Sequence, residues 1–341
     1  MEERKIRKVF ITGMAGSGGS YMAEYIAQHH PEVEIYGTAR WQNGGERRAI
    51  RNLENIREKV SIFNCDLNDE WTLYNLLEDI MPDAIFHLAS DANVRESFDH
   101  PIETIKNNVV GSGVNFFETI RRLRDKTKGA REVFDPIIQH CSTSEVYGQV
   151  RPENVPIKET LPLRAMSPYG ISKIAQDLLA ESYFKNFGLK IIRTRMFSYF
   201  NPRRRNLFAT NFAMQIAEIE AGKRTELLHG NLDSVRTLID VRDAMASYWV
   251  AVQKCRFGEA YNIGGKKTIS VGEFLELLRS NARCTINSCV DSALLRPTDV
   301  TLQIPDTSKF ENATDWQSKY SFEESIEHLL EHCRKEVKGR Q

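Results

Sequence analysis

The sequence lacks several features that assign a chain to particular classes of protein. No apolar run approaches the roughly 20 residues that a membrane-spanning helix needs. Lysine plus arginine and aspartate plus glutamate both total 46 among the 341 residues, so no charge excess favours nucleic acid or an anionic membrane. We therefore expect neither a nucleic-acid partner nor membrane association.

Cysteine and histidine are sparse and dispersed. The six cysteines form no Cys-x-x-Cys pair and the eight histidines show no metal-ligand spacing, so we predict reduced thiols and no metal site. The amino terminus is charged and leads directly into an apolar strand, which is not the pattern of a signal peptide. These absences predict a cytoplasmic protein.

The features that are present indicate an α/β fold. Predicted strands alternate with helices from residue 8 to about residue 195, which is typical of a doubly wound parallel sheet of the Rossmann type. Beyond residue 197 the alternation changes, and we predict a smaller, discontinuous α/β substrate lobe. The predicted cofactor domain is 1–197, completed by about 231–256, and the predicted lobe is 198–230 with 257–341.

A glycine-rich turn follows the first predicted strand. Three of its glycines have three-residue spacing, and a helical pattern resumes after them. In such a turn the first glycine allows the tight bend, the second lets the backbone approach a pyrophosphate, and the third lets helix and strand pack closely. We predict a dinucleotide site at this helix N-terminus, with contacts from Gly13, Gly16, Ser17, Gly18 and Gly19.

The end of the second predicted strand bears on the choice of cofactor. A cofactor without a 2′-phosphate usually meets an acidic residue there, whereas the first charged residue here is Arg40, followed by Arg47 and Arg48. A cation suits a 2′-phosphate, so we predict NADP; a solvated basic turn and NAD are the alternative. The ends of the next two strands add predicted contacts from Asp66, Leu67, Ala89 and Ser90.

Residues 140–173 carry the predicted chemistry. Ser167 and Pro168 mark a helix start, and Tyr169 and Lys173 share one face of that helix because they are four residues apart. An ammonium beside a phenol favours the phenolate and so lowers the tyrosine pKa. The pair predicts a base for a sugar hydroxyl, although the same spacing also occurs on many helices without such a function.

Together these motifs resemble those of the extended short-chain dehydrogenase/reductase family. The matching segments are Thr12-Gly13-x-x-Gly16-x-x-Gly19, Asp66-Leu67, His87-Leu88-Ala89, Asn108-x-x-Gly111, Thr143 and Tyr169-x-x-x-Lys173. The resemblance implies a Rossmann fold in which Leu88, Asn108, Tyr169 and Lys173 contact the cofactor. It also implies that Thr143 hydrogen-bonds the sugar.

Within that family the sequence is similar to the GDP-mannose 4,6-dehydratases. The similar segments are 17–24, 97–101, 143–145, 202–204 and 230–233. The resemblance implies a GDP-sugar substrate and a homodimer or homotetramer built on the helices at 102–123 and 167–184 and on the loop at 40–48. The predicted substrate contacts are Ser90, Thr143, Ser198, Asn201, Arg203, Asn231, Arg236 and Arg296, of which three arginines are predicted to bind a diphosphate.

Two departures from those enzymes concern the sugar. Ser198 replaces an asparagine, and Thr237-Leu238 replaces Asp-Trp. A GDP-manno-heptose is therefore an alternative to GDP-mannose.

Glu145 decides the predicted reaction. A reductase or a 4-epimerase needs no carboxylate beside the threonine, whereas a 4,6-dehydratase needs a base for the C5 hydrogen. We predict that Tyr169 deprotonates the C4 hydroxyl, that Glu145 takes the C5 proton, and that water leaves from C6 with help from Ser144. The alternatives are a UDP-glucuronate decarboxylase, a GDP-4-keto-6-deoxy-sugar 4-reductase and a non-catalytic NADP-binding regulatory protein.

Overall fold

The computed structural model describes residues 4–41, 50–295 and 300–339. Predictions for Arg47, Arg48 and Arg296 therefore fall outside the described residues. The described strands are β1 (Lys8–Thr12), β2 (Glu34–Ala39), β3 (Val60–Asn64), β4 (Ala84–His87), β5 (Ile137–Thr143), β6 (Ile191–Met196), β7 (Tyr199–Phe200), β8 (Leu227–His229), β9 (Val235–Thr237), β10 (Ile239–Asp240), β11 (Ala260–Ile263), β12 (Thr268–Ser270), β13 (Ser288–Val290) and β14 (Leu302–Gln303).

The described helices alternate with these strands. They are α1 (Gly19–His29), α2 (Glu70–Ile80), α3 (Val94–Asp99), α4 (Pro101–Ile105), a π-helix (Lys106–Asn115), α5 (Phe116–Thr127), α6 (Pro168–Phe187), α7 (Phe208–Glu220), α8 (Val241–Lys254), α9 (Val271–Ser280), α10 (Ser308–Thr314) and α11 (Phe322–Lys338). Short 3-10 turns occupy Arg51–Lys59, Ser144–Tyr147, Pro152–Asn154 and Ser292–Leu294. Within the described ranges, none of the helices combines the length and apolar character needed to span a bilayer.

Seven parallel strands form the central sheet in the order β11-β6-β5-β4-β1-β2-β3. The middle strands β5, β4 and β1 are largely buried, because helices cover both sides of a parallel sheet. One covering layer contains α1 and α8, and the other contains α2, α5 and α6. The strand order reverses between β1 and β4, which is where such sheets bind ligands. The predicted doubly wound fold is confirmed.

A separate apolar cluster lies outside the sheet. It joins α7, α9 and α11, and small strand groups β12-β9-β14, β13-β8 and β10-β7 flank it. The predicted lobe at 198–230 and 257–341 differs from this part in two respects. β11 lies within 257–341 but pairs with β6 in the central sheet. β9 and β10 lie within 231–256, which was predicted to complete the cofactor domain, but they belong to the small strand groups. The sequence Ala-Tyr-Asn-Ile is too short to show that this strand forms an edge of the central sheet, so its position is known only from the structure.

One long helix was predicted at 102–123, and the chain does stay helical from Pro101 to Thr127. Its centre is the π-helix, which widens the turn where Gly111 packs against Asn68. A Cβ on Gly111 would lie 2.9 Å from the Asn68 side-chain oxygen. π-Helical turns often lie at functional sites, and here the turn places Asn107 and Asn108 at the cavity described below.

Candidate active site

A cavity of about 560 Å³ opens at the carboxyl ends of the parallel strands. The glycine turn, the ends of β2 to β6, the start of α6 and parts of the lobe line it. Most predicted site residues meet here: Gly13, Gly16, Ser17, Gly18, Gly19, Arg40, Asp66, Leu67, Leu88, Ala89, Ser90, Asn108, Thr143, Ser144, Glu145, Tyr169, Lys173, Ser198 and Arg236.

The glycine turn has the geometry of a phosphate cradle. Gly13 adopts a φ of +66°, a conformation that favours glycine. A Cβ on Gly19 would lie 2.3 Å from the Gly13 carbonyl oxygen, so helix and turn approach too closely for any side chain. The helix α1 starts without a side-chain cap, and its first amides are therefore suited to the pyrophosphate of a dinucleotide.

Arg40 follows β2 at the cofactor side of the cavity. Its guanidinium lies 3.0 Å from an Asp91 carboxylate oxygen and 3.9 Å from one of Asp66. The side chain is 44% exposed, so it remains accessible to an incoming phosphate.

Asn108 is fully buried and organises the loop after β4. Its side-chain oxygen accepts hydrogen bonds from the Ser90 hydroxyl at 3.1 Å and the Asp91 amide at 2.8 Å. Its amide group donates to the Asp91 carbonyl and to the Ser172 hydroxyl. Asn108 thus ties this loop to α6, and its predicted contact with a cofactor stays a prediction.

The start of α6 carries the predicted tyrosine and lysine. The Gly170 amide donates to the Ser167 hydroxyl at 3.0 Å, which confirms the predicted N-cap. Lys173 is buried, and its ammonium donates to the Cys141 carbonyl and the Gln176 side-chain oxygen, each at 2.6 Å. Burial lowers the pKa of Lys173 to about 8.

Tyr169 has an electrostatic partner that the sequence did not predict. Burial raises the pKa of Tyr169 above its ordinary value, and the guanidinium of Arg204 is the leading opposing influence. A hydrogen bond with Thr143 also lowers this pKa. The Lys173 ammonium is held by Cys141 and Gln176, and its predicted effect on the phenol stays a prediction.

Glu145 lies in the same cavity as Tyr169. The hydroxyl oxygen of Thr143 accepts a hydrogen bond from the Glu145 amide at 3.3 Å and so starts the 3-10 turn Ser144–Tyr147. The carboxylate accepts a hydrogen bond from the Gln303 side-chain amide at 3.1 Å, and its charge raises the pKa of Tyr169. The site therefore combines a phenol, a hydroxyl and a carboxylate in one cavity.

Comparison with known proteins agrees with this arrangement. A family model described as GDP-mannose 4,6 dehydratase matches residues 10–329. The chain belongs to this family. It is 26% identical to the GDP-mannose 4,6 dehydratase of Cricetulus griseus, across 97% of this chain and 92% of that protein.

A reductase is also among the relatives of this member of the GDP-mannose 4,6 dehydratase family. The chain is 24% identical to the GDP-6-deoxy-D-mannose reductase of Pseudomonas aeruginosa, across 95% of this chain and 96% of that protein. The solved structure of RMD from Pseudomonas aeruginosa complexed with NADPH is similar with a TM-score of 0.78 and 23% identity, across 97% and 100% of the two chains. That structural likeness shows the fold alone.

Two predicted substrate contacts of this family member lie away from the cavity. Arg203 donates to the Ser20 hydroxyl at 2.9 Å and to the Glu24 carboxylate at 2.6 Å, and it stacks on Tyr21. Asn201 is fully buried and donates to the Ser17 carbonyl at 3.1 Å. Both predictions are corrected: these residues join the lobe to the glycine turn and α1.

Arg204 takes the place in the cavity that was predicted for Arg203. Its guanidinium donates to the Ala92 carbonyl and, at 3.3 Å, to the Tyr199 hydroxyl. The sequence shows three consecutive arginines at 203–205, so a cation was predictable in this segment. Which of the three faces the cavity depends on the loop geometry, and the sequence alone does not reveal it.

The remaining substrate predictions divide between two cavities. Arg236 lines the first cavity and donates to the carbonyls of Val300 and Thr301 at 2.5 and 3.1 Å. Asn231 lines a second cavity of about 550 Å³ with His229, Gly230, Leu232, Asp233, Val290 and Leu295. The structure therefore does not bring Asn231 together with Arg236 in one cavity of this family member.

Proposed function

We propose that this chain is a nucleotide-sugar 4,6-dehydratase that converts GDP-mannose to the GDP-4-keto-6-deoxy sugar, with a GDP-manno-heptose as the alternative substrate. The observation that carries the proposal is the Glu145 carboxylate in the same cavity as Tyr169 and Thr143. A reductase does not need a base that removes the C5 proton. The name of the relative from Cricetulus griseus supports the same reaction.

Each side chain has a defined task in this reaction. Thr143 hydrogen-bonds the C4 oxygen, and Tyr169 takes the proton of the C4 hydroxyl, with Arg204 stabilising the phenolate. A bound pyridine nucleotide would supply the redox chemistry, the net transfer of a hydride from C4 to C6. The C4 ketone acidifies the C5 hydrogen, which Glu145 removes while water leaves from C6. When the hydride reaches C6, C5 takes up a proton, which balances the proton that Tyr169 took from the C4 hydroxyl. The net change is the loss of one water without net oxidation.

The test is an incubation of the purified protein with GDP-mannose and no added reductant. We expect a product lighter by one water that gives the ultraviolet absorbance of a 4-keto sugar in alkali. Parallel incubations with a GDP-manno-heptose and with UDP-glucuronate distinguish the sugar and the decarboxylase alternative. Turnover of a 4-keto substrate that depends on NADPH would instead identify the reductase, the second candidate that the Pseudomonas aeruginosa relative favours. Bound NADP without any turnover would indicate the regulatory alternative.

We propose NADP as the cofactor because Arg40 stands at the end of β2 within the cavity. Replacing Arg40 with serine removes the cation and leaves Asp66 and Asp91 facing the 2′-position. The dissociation constant of NADP, measured by calorimetry, is then expected to rise about 10- to 100-fold, since a hydrogen bond to a charged group contributes about 1.5–3 kcal/mol.

The affinity for NAD is expected to stay unchanged in this variant, because NAD has no 2′-phosphate. Arg51→Ser is the matched control, since Arg51 is an exposed arginine that pairs with Glu336. Equal affinities of the wild type for NADP and NAD would contradict the assignment to NADP.

We also propose that two copies of the chain pair through α6 and the helix beside it. Ile102, Val110 and Val114 on the long helix are exposed apolar residues, as are Ile171 and Leu178 on α6. Residues seven apart share one helical face, so α6 presents an apolar stripe. A second copy placed on this stripe would cover it in a four-helix contact. Sedimentation of the wild type as a monomer at micromolar concentration would exclude such a dimer.

The two-part domain division is retained as a proposal, with β11 assigned to the cofactor domain and β9 and β10 assigned to the lobe. We further propose that the protein acts in the cytoplasm. All six cysteines are free, as is usual in a reducing compartment. Detection of the protein outside the cytoplasm by cell fractionation would contradict this location.

A further inference from the structure

Gln303 connects the lobe to the carboxylate on which the proposed chemistry depends. It lies on β14, 158 residues from Glu145 in sequence, and its Nε2 lies 3.1 Å from Glu145 Oε1. The side chain lines the cavity, and the residue is only 4% exposed. Little water therefore competes for this hydrogen bond.

The chemistry of the two groups fixes how they face each other. An ionised carboxylate only accepts hydrogen bonds, so Gln303 must present its NH₂ group and not its oxygen. The amide is neutral, so it orients the carboxylate without forming an ion pair that would hold it away from a proton. Because Oε1 takes part in this bond, Oε2 is the oxygen that remains outside it.

The backbone around Gln303 is held from two sides. On one side Gln303 is the register partner of Arg236 in the parallel pair β14–β9, and Arg236 donates to the carbonyls of Val300 and Thr301. On the other side the Ile157 amide donates to the Ile304 carbonyl at 2.8 Å, and the Asp306 amide donates to the Ile157 carbonyl at 2.8 Å. These bonds fix the backbone near Gln303, so its side chain reaches Glu145 from a defined position.

We propose that Gln303 is a positioning residue for Glu145, an inference that rests on the proposed dehydratase function. With Oε1 held, the C5 proton transfers to Oε2, and the electron pair of the C5–H bond forms the C5–C6 double bond as the C6–O bond breaks. The same Oε2 proton then passes to the departing C6 oxygen. Water leaves, and Glu145 is a carboxylate again.

The test compares Gln303→Leu and Gln303→Glu with the wild type. Leucine keeps the approximate shape and removes the donor. We expect the kcat of Gln303→Leu to fall about 10- to 100-fold with KM for GDP-mannose changed less than about threefold, because misplacing a reacting group affects the chemical step most.

Gln303→Glu supplies a readout that a purely structural role would not move. A second carboxyl group donates a hydrogen bond only while protonated, so activity is expected to recover partly at acidic pH and to fall as the pH rises. Leu302→Ala is the matched control on the same strand. Leu302 is only partly buried, so this substitution is expected to leave kcat unchanged. A kcat of Gln303→Leu equal to that of the wild type would overturn the proposal.

A second measurement separates this inference from the proposed function. The carboxyl carbon of Glu145, labelled with ¹³C and assigned with Glu145→Gln, is observed by nuclear magnetic resonance in the wild type, in Gln303→Leu and in Leu302→Ala. Its chemical shift is expected to change in Gln303→Leu, where the carboxylate loses its hydrogen bond, and to keep the wild-type value in Leu302→Ala. A wild type inactive on GDP-mannose defeats the proposed function, whereas an unchanged chemical shift in Gln303→Leu defeats the role of Gln303 whatever the activity.

Discussion

Glutamine in place of Glu145 is expected to stop formation of the 4-keto-6-deoxy sugar. The substitution preserves the size of the side chain but removes the base that takes the C5 proton. General acid–base groups contribute about 10²- to 10⁴-fold, so we expect kcat to fall by at least 10²-fold. Tyr169 and Thr143 are unchanged, and oxidation at C4 is therefore expected to proceed.

The two steps are separated by a rapid-mixing experiment. Mixing Glu145→Gln with GDP-mannose should give an absorbance signal of reduced cofactor, and no deuterium from solvent should enter C5. Glu153→Gln is the matched control, because Glu153 is a nearby carboxylate with a side chain 64% exposed. Normal product from Glu145→Gln would remove Glu145 from the mechanism and with it the dehydratase proposal.

Asparagine in place of Asp177 is expected to cause the largest loss of stability. The Asp177 side chain is fully buried on α6, one turn beyond Lys173, and it pairs with Arg195 at 2.9 Å and with Arg193 at 3.0 Å. The Ser142 hydroxyl also donates to it at 2.7 Å. Removing one partner of a buried ion pair costs about 3–5 kcal/mol, because the remaining charges lose their compensation.

The pH dependence gives this prediction a second measurement. Burial alone would raise the pKa of Asp177, but the hydrogen bond and charge of Arg195, with Arg193 and Ser142, lower it below its ordinary value. Its stabilising contribution is therefore present above the unfolded-state pKa of about 3.9 and is lost as the pH falls toward the lower native pKa. Urea titrations of Asp177→Asn should lack this loss below about pH 4.

The matched control for this variant is Lys185→Met on the same helix. Lys185 pairs with Glu181 at the surface, and its side chain is 65% exposed, so the expected change is about 0–1 kcal/mol. A urea midpoint of Asp177→Asn equal to that of the control would show that the buried pair contributes no net stability. The kcat of Asp177→Asn is also expected to fall, because Asp177 holds the Ser142 hydroxyl and Ser142 adjoins Thr143.

The parts of the molecule that the sequence predicted are those fixed by short-range rules. The bend at Gly13 and the cap at Ser167 depend on residues within one turn, and both were predicted correctly. The alternation of strands and helices likewise predicted the parallel sheet and its ligand edge. Glu145 lies at that edge because it follows the end of β5, and Tyr169 lies there because it is in the first turn of α6.

The parts that were missed depend on contacts between distant segments. No sequence motif surrounds Gln303, and its proposed role could be inferred only from the structure, in which β14 pairs with β9. Lys173 was assigned to the phenol because helical spacing brings it near Tyr169, but spacing does not reveal that the Cys141 carbonyl holds its ammonium. Nor does a short polar strand such as β11 reveal its pairing with β6.

The opposite orientations of Arg203 and Arg204 restrict how the segment after β7 can vary. Arg203 is attached to α1 through Ser20 and Glu24, while its neighbour projects into the cavity. Inserting or deleting a single residue between Asn201 and Arg204 would displace both guanidinium groups, one from Glu24 and the other from the neighbourhood of Tyr169. Laboratory evolution is therefore expected to keep both the length of this loop and its two arginines.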